Sequence, residues 1–377
     1  MMDSSSYAIH YDQPLGYGTY SNVYRAHKGK DAVPVALKQM SIHFKGPHED
    51  AEDMLRAFLR EAAVLRLFSH PNIVRFHDVM FLDLKENGNA SVGLSLELMD
   101  GTVRKLIPHG KGVSEAIAVA VIHQLLQALQ VLHAANVAHR DIKLDNMLLD
   151  RTGRVCLSDF GMARFMKVPL QDSRCMTAYV VTRFYRAWEL LTRSGPFSTA
   201  IDLWSVGCVF AELLLGQPLW TGDSTLQQCA FVLKTLGIPP SHILQKCPYA
   251  AIASYVQKHK DKLGNGLRDY FPKLSIDGLY FLHRCFDYDP ETRITATESL
   301  ALPLFRNCKC NKVQPLSAPV DVELVEKSFD FDLSSYSTMD LWAEVQRLCF
   351  GFGDDSVSME CEESMSNHDS DEKKHDE

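Results

Sequence analysis

Two short strings in this 377-residue chain are built from residue types that handle phosphate chemistry. They are His139-Arg140-Asp141-Ile142-Lys143-Leu144-Asp145-Asn146 and, eighteen residues after Asp141, Asp159-Phe160-Gly161. Transfer of a γ-phosphoryl group asks little covalent chemistry of a protein, which must position the nucleophile and neutralise charge on three phosphate oxygens. Asp141 can accept or orient the proton of a substrate hydroxyl. Asn146 and Asp159 offer hard oxygen ligands from two backbone segments, a set suited to Mg²⁺ shared between protein and nucleotide phosphates. Lys143 brings a positive charge to the place a transferring group would occupy. Taken singly, Asp-Phe-Gly or His-Arg-Asp is common by chance, and a lone His139 is more often a core histidine; the joint order carries the information.

That joint pattern resembles the signature of eukaryotic protein kinases. The resemblance implies an α+β, bilobal protein kinase fold with a small β-rich N-lobe, a large mainly helical C-lobe, and ATP and Mg as cofactors. It divides the chain into an N-lobe over 1–99 after a short arm, a C-lobe over 100–305 with an insert at about 238–270, an extension over 306–353 that wraps back to the N-lobe, and an acidic tail over 354–377.

The elements that must position these groups can be read along the chain. Leu15-Gly16-Tyr17-Gly18-Thr19-Tyr20-Ser21-Asn22-Val23 reads as a strand-turn-strand over nucleotide phosphates, where absent side chains let backbone N–H groups approach closely, with Ser21 in place of a third glycine. Val35-Ala36-Leu37-Lys38 is an apolar strand ending in a charge, and Lys38 is the expected partner of the α- and β-phosphates. Its counter-ion is assigned to Glu61, because Phe58, Ala62 and Leu65 give that segment a buried helical face; the plainer alternative for Glu61 is a solvated helix charge. Ser91–Asp100 reads as the strand entering the hinge, with Glu97 to Met99 offering backbone groups to adenine and Leu148 flooring the pocket. Ser114 is a plausible N-cap for a buried helix through Leu132. Asp202 resembles the carboxylate that braces the catalytic loop, and Arg293 the arginine that pairs with Glu189.

The segment Met176-Thr177-Ala178-Tyr179-Val180-Val181-Thr182-Arg183-Phe184-Tyr185-Arg186-Ala187-Trp188-Glu189 is similar to the activation lip of mitogen-activated protein kinases. The resemblance implies dual phosphorylation of Thr177 and Tyr179, since a phosphate adds charge and strong acceptors that order a loop wherever arginines converge. Arg60, Arg140 and Arg164 are the candidates for phospho-Thr177, and Arg183 and Arg186 for phospho-Tyr179; the alternative for each is a surface salt bridge. Phe329-Asp330-Phe331-Asp332-Leu333, then Ser337 and a helix with Leu341, Val345 and Leu348 on one face, is similar to the same family's C-terminal extension. Implied partners are protein substrates with Ser/Thr-Pro sites, an upstream dual-specificity kinase and a phosphatase, acting on a monomer.

Composition excludes several other classes. The formal charge is −8, and Asp354–Glu377 alone carries ten acids against two lysines, so the remainder is formally neutral. No clustered basic face suggests nucleic acid, and the acidic, serine-rich tail is expected to stay disordered. The longest apolar run noted, Leu203–Leu215, contains Glu212 and falls short of the about 18 residues of a membrane span. The N-terminus does not read as a signal peptide, and Met2 stands where a myristoylation signal needs glycine. Ten cysteines without a framework are expected as reduced thiols in a cytoplasmic protein, with the nucleus as a second compartment.

Three departures from the family pattern bear on function. Trp188 replaces the proline of Ala-Pro-Glu, beside the pocket expected for the substrate residue after the phosphorylated one. Arg306, Lys309 and Lys312 stand where relatives carry acids that dock basic peptides, with Asp321, Glu323 and Glu326 farther on as substitutes. Ala57 replaces a helix arginine, with Arg56 adjacent. The alternatives are a weakly active kinase-fold scaffold, suggested by Trp188 and Ser21, and a cyclin-dependent-kinase-like enzyme.

Overall fold

The computed structural model describes residues 7–18, 21–44, 48–84, 89–166, 183–194, 197–264, 266–306, 308, 321–329 and 336–350. The chain divides into two compact units, one of Met1–Ser69, Val74–Met99 and Glu326–Glu377, the other of His70–Ile73 and Asp100–Val325.

The small unit is built on an antiparallel sheet of five strands, β1 (Tyr7–Tyr17), β2 (Ser21–Lys28), β3 (Val33–Ile42), β4 (Phe76–Leu84) and β5 (Ala90–Glu97), in the order β1-β2-β3-β5-β4. Side chains alternate faces along a strand. On β3 this buries Val35 and Leu37 completely and turns Ala36 and Lys38 to the opposite face. The helix α1 (His48–Leu67) buries Leu55, Phe58, Ala62 and Leu65 along one stripe, the 3.6-residue spacing expected of a helix on a core.

The helix Thr338–Phe350 packs within this unit, against α1 and β4. Leu341, Trp342 and Val345 are buried, and the Trp342 ring meets Phe44 at 5.3 Å and Phe81 at 6.1 Å. Arg56, beside Ala57, donates Nη2 to the Tyr336 carbonyl at 3.1 Å, while Ser337 caps the helix by accepting the Asp340 N–H at 3.2 Å.

The large unit is mainly helical. Its helix α2 (Glu115–Ala134) starts at Ser114, whose hydroxyl accepts the Ile117 N–H at 3.4 Å. Contrary to the sequence reading, α2 is long and apolar enough by length and composition to cross a membrane. About two-thirds of its apolar window, 67 %, is buried inside the unit, and Gln124 on it hydrogen-bonds Asn72 and the Val155 N–H, which makes it a core helix here. His123, Gln124, Gln127 and Gln130 interrupt the apolar run in the sequence without making the helix polar. The apolar helix α3 (Ala200–Leu215) ends where Gly216 turns to φ 80°, its N–H bonding the Glu212 carbonyl at 2.7 Å; a Cβ there would lie 2.3 Å from the Gly110 carbonyl. Short strand pairs lie around these helices, among them β6 (Met147–Leu149) with β7 (Val155–Leu157), which join the string ending at Asn146 to the one beginning at Asp159. Between residues 238 and 270 lie short helices at Ser241–Gln245, Ala250–His259 and Leu267–Tyr270. Of the described cysteines, Cys156, Cys208, Cys229 and Cys285 are buried.

Candidate active site

The small unit contributes an ion pair. Lys38 faces Leu94 across β5 and sends Nζ to both oxygens of Glu61, at 2.6 and 2.9 Å. Glu61 is 2 % exposed, so helix α1 buries it opposite its lysine instead of leaving it solvated. The preceding turn is formed by Gly16 opposite Val23 and Tyr17 opposite Asn22, with the Gly18 N–H bonded to the Ser21 carbonyl at 2.7 Å. Leu15 and Tyr17 are exposed there, and Thr19 and Tyr20 lie outside the described residues. At the end of β5 the Glu97 carboxylate accepts the Arg75 N–H at 2.8 Å, and Leu96 is buried beside it; Met99 follows, half-buried.

The large unit contributes the carboxylates. Asp141 Oδ2 accepts from Lys143 Nζ at 2.7 Å and from Asn146 Nδ2 at 2.8 Å, and Nδ2 also reaches the Asp141 carbonyl at 2.9 Å. With its amide nitrogen so occupied, Asn146 turns Oδ1 the other way. No described residue bonds Oδ1 of Asp141 or of Asn146, so one acceptor on each is left for a substrate or a cation.

A second layer fixes this geometry. Asp202, fully buried at the start of α3, accepts the backbone N–H groups of His139 and Arg140, both at 2.8 Å, and the His133 Nε2–H at 2.9 Å. Burial opposes its charge, but the His133 bond, the nearby histidines and the Arg140 N–H prevail and hold its carboxyl below the ordinary value. His139 Nδ1 accepts the Asp141 N–H at 3.2 Å, so its proton sits on Nε2 and points to the Ser158 carbonyl at 3.0 Å. That contact ties the loop to the residue before Asp159. Phe160, fully buried, meets the His139 ring edge-on at 4.9 Å. Asp159 and Arg140 adopt left-handed backbone with φ of 65° and 71°, which costs non-glycine residues energy and persists only where packing over-determines it. Leu148 lies on β6 opposite Cys156 and is half-buried.

Thr177 and Tyr179 lie outside the described residues, as do Lys309 and Lys312. Of the five arginines assigned to lip phosphates, Arg140 donates to the Met162 carbonyl and Arg164 to the carbonyl of its own neighbour Ala163, each at 3.4 Å. Arg60 is buried on α1. Arg183 donates to the Asp223 carbonyl at 2.8 Å, and Arg186 lines a cleft with Asp141 and Tyr185. Glu189 and Arg293 form a buried bidentate pair at 2.8 Å on both arms. Trp188 is fully buried, edge-on to Tyr288 at 5.0 Å, and no described acceptor reaches its indole N–H.

Sequence reasoning missed a network beside Asp141. Arg104 bridges Asp145 and the buried Glu212, and Glu212 also accepts the Tyr185 hydroxyl. The available signal was Glu212 itself, a charge within an apolar helix that needs a partner.

Residues 9–305 match the protein kinase domain. Mitogen-activated protein kinase 5 of Arabidopsis thaliana is 32 % identical over 291 residues, 77 % of this chain and 75 % of that protein. Cyclin-dependent kinase B2-1 of the same plant is 32 % identical over 299 residues, 78 % of this chain and 92 % of that protein. Extracellular signal-regulated kinase 1 of Dictyostelium discoideum is 31 % identical over 302 residues, 80 % of this chain; the chain spans 56 % of that relative's length. The chain therefore belongs to the protein kinase domain family, whose members use ATP and Mg²⁺, and is a protein serine/threonine kinase with mitogen-activated protein kinases among its relatives.

Proposed function

We propose that this chain is a kinase of the mitogen-activated type, transferring the ATP γ-phosphoryl group to serine or threonine hydroxyls that precede proline, and switched on by phosphorylation of Thr177 and Tyr179. The observation that carries the phosphotransfer reading is the Asp141 carboxylate, held on one oxygen by Lys143 and Asn146 and open on the other, in a loop braced by buried Asp202. In that setting the free oxygen orients the incoming hydroxyl and takes up its proton. Lys143 offsets negative charge as the phosphoryl group passes. Lys38, kept in place by Glu61, pairs with the α- and β-phosphates.

The donor set suits magnesium. Asn146 Oδ1 and the Asp159 carboxylate are hard oxygens, and the described residues hold no cluster of three or more His, Cys, Asp or Glu side chains. Such a two-ligand arrangement fits an ion completed by water and phosphate instead of an all-protein cage. When bound, Mg²⁺ supplies neutralisation of the phosphate oxygens.

The switch is supported by Arg140, which donates to Met162 on the segment leading into the lip, and by Arg164 on that same segment, and the mitogen-activated type by the relatives and by the helix Thr338–Phe350 on the small unit. A weakly active scaffold is less well supported: the Lys38–Glu61 pair is formed and the Asp141 set is intact. The match to cyclin-dependent kinase B2-1 favours a second reading, in which a partner subunit completes activation. The test is phosphotransfer to Ser/Thr-Pro peptides by the kinase isolated from cells, with mass spectrometry of the lip peptide before and after a dual-specificity phosphatase. Activity should fall with loss of both phosphates, and Thr177→Ala and Tyr179→Phe should each lower it. A double variant as active as phosphorylated wild type would exclude lip control, and activity only with an added partner subunit would favour the cyclin-dependent reading.

A further inference from the structure

Close to Asp141 in the fold, two carboxylates share one of the chain's own arginines. Asp145 belongs to the same turn as Asn146 and is about half exposed, at 48 % of its side chain. Glu212 projects from α3 and is completely buried, which raises its pKa against the opposing pull of Tyr185 and Arg104. A buried carboxylate is tolerated only with hydrogen-bonded partners. One partner is the Tyr185 hydroxyl, which donates to Oε2 at 2.7 Å.

The other partner is Arg104, from the short turn Val103–Leu106. Its Nε and Nη2 clasp the two oxygens of Asp145 at 2.6 and 2.7 Å, while Nη1 donates to Glu212 Oε1 at 3.1 Å. Tyr185 joins both networks: it holds Glu212 and lines the cleft that also contains Asp141 and Arg186. Two carboxylates are therefore linked to the cleft that contains Asp141, Asp145 through the turn it shares with Asn146 and Glu212 through the Tyr185 hydroxyl, and a guanidinium bonds both of them.

We infer that Arg104 is a specificity-determining residue, an internal arginine occupying an anionic pocket that would otherwise select peptides with arginine near the phosphoacceptor. This rests on the phosphotransfer reading above and deepens it: the enzyme takes substrates without a basic determinant at that position, because the charge complementarity is satisfied internally. A fork-shaped guanidinium fits a carboxylate pair better than an ammonium does, so the latent preference is for arginine over lysine.

The experiment is a positional-scanning peptide library, phosphorylated by the activated wild-type kinase, by Arg104→Met and by Arg104→Met/Asp145→Ser, with melting temperatures recorded alongside. Wild type should show no selection for arginine at any position. Arg104→Met should gain selection for arginine over alanine at one position of at least about tenfold, the size of one charge-assisted hydrogen bond. The double variant should lose most of that gain. Because selectivity is a ratio among peptides, a lowered overall rate does not obscure it. If Arg104→Met lowers the melting temperature and transfers phosphate with a flat arginine profile, the arginine only braces the loop and the inference is overturned while the kinase assignment stands. Should Arg104→Met not fold, the wild-type scan still decides, since strong arginine selection by wild type would show that the pocket is open. A wild type that phosphorylates no peptide would overturn the proposed function and this inference with it.

Discussion

The catalytic loop of the large unit and the β1–β2 turn of the small unit are held by opposite means. Around Asp141, buried polar groups do the holding: Asp202 takes two backbone N–H groups, His139 is oriented from both ring nitrogens, and Asn146 is tied at its amide nitrogen. At the turn, by contrast, one described backbone bond from Gly18 to Ser21 closes the approach, and Tyr17 is 77 % exposed. A group that moves a proton must be set within tenths of an ångström, so its support is buried and over-determined. A segment whose suggested task is to cover phosphates with backbone amides gains nothing from being packed. The difference predicts that substitutions of the buried supports behind Asp141, Asp202 above all, damage folding and turnover together, and that substitutions in the second region hardly touch folding.

The largest effect is expected at Asp202. Asp202→Ala strands two buried N–H donors and His133, so it should cost about 3–5 kcal/mol of stability and nearly all activity, read by denaturant unfolding and phosphotransfer. Next, Lys38→Met should lower kcat roughly 10²–10³-fold through lost phosphate stabilisation, and should lower the melting temperature as well, because the buried Glu61 carboxylate loses the lysine that bonds both its oxygens. A fold that collapsed in Lys38→Met would mean the pair with Glu61 is mainly structural. Smaller again is Val345→Ala, which removes two buried methyl groups from the C-terminal helix. It should destabilise the protein by about 2 kcal/mol and leave kcat within twofold if that helix acts only as packing. Smallest is Tyr17→Ser, expected within about 0.5 kcal/mol of wild-type stability; a larger loss would contradict the picture of an unpacked turn.

How much of this was legible depended on whether a residue's partner was near in sequence or fixed by a motif. Asp141, Asn146 and Asp159 announce themselves by spacing, and Ser114 caps its helix as its type suggests. The periodic 58, 62 and 65 positions were enough to place Glu61 on a buried helix. Long-range partners were a different matter. Nothing local pairs Arg104 with Glu212, 108 positions away, or says that Arg56 would be spent on the Tyr336 carbonyl, 280 positions away. Helix α2 is legible from Ser114 to Leu132, but its glutamines look like interruptions in a string and hide how long its apolar stretch is, whereas in the fold Gln124 satisfies buried groups from two other segments.

The central claim is that Asp141 acts as the base of a phosphoryl transfer without being part of what keeps the loop folded. It is tested most directly by comparing wild type with Asp141→Asn under single turnover, at saturating ATP and Mg²⁺, with thermal unfolding measured on the same samples. The account predicts a rate lower by roughly 10²–10⁴-fold, the usual contribution of a positioned proton acceptor, and a melting temperature within a few degrees of wild type. A variant that keeps the full rate, or one that loses it only because it no longer folds, would contradict the assignment.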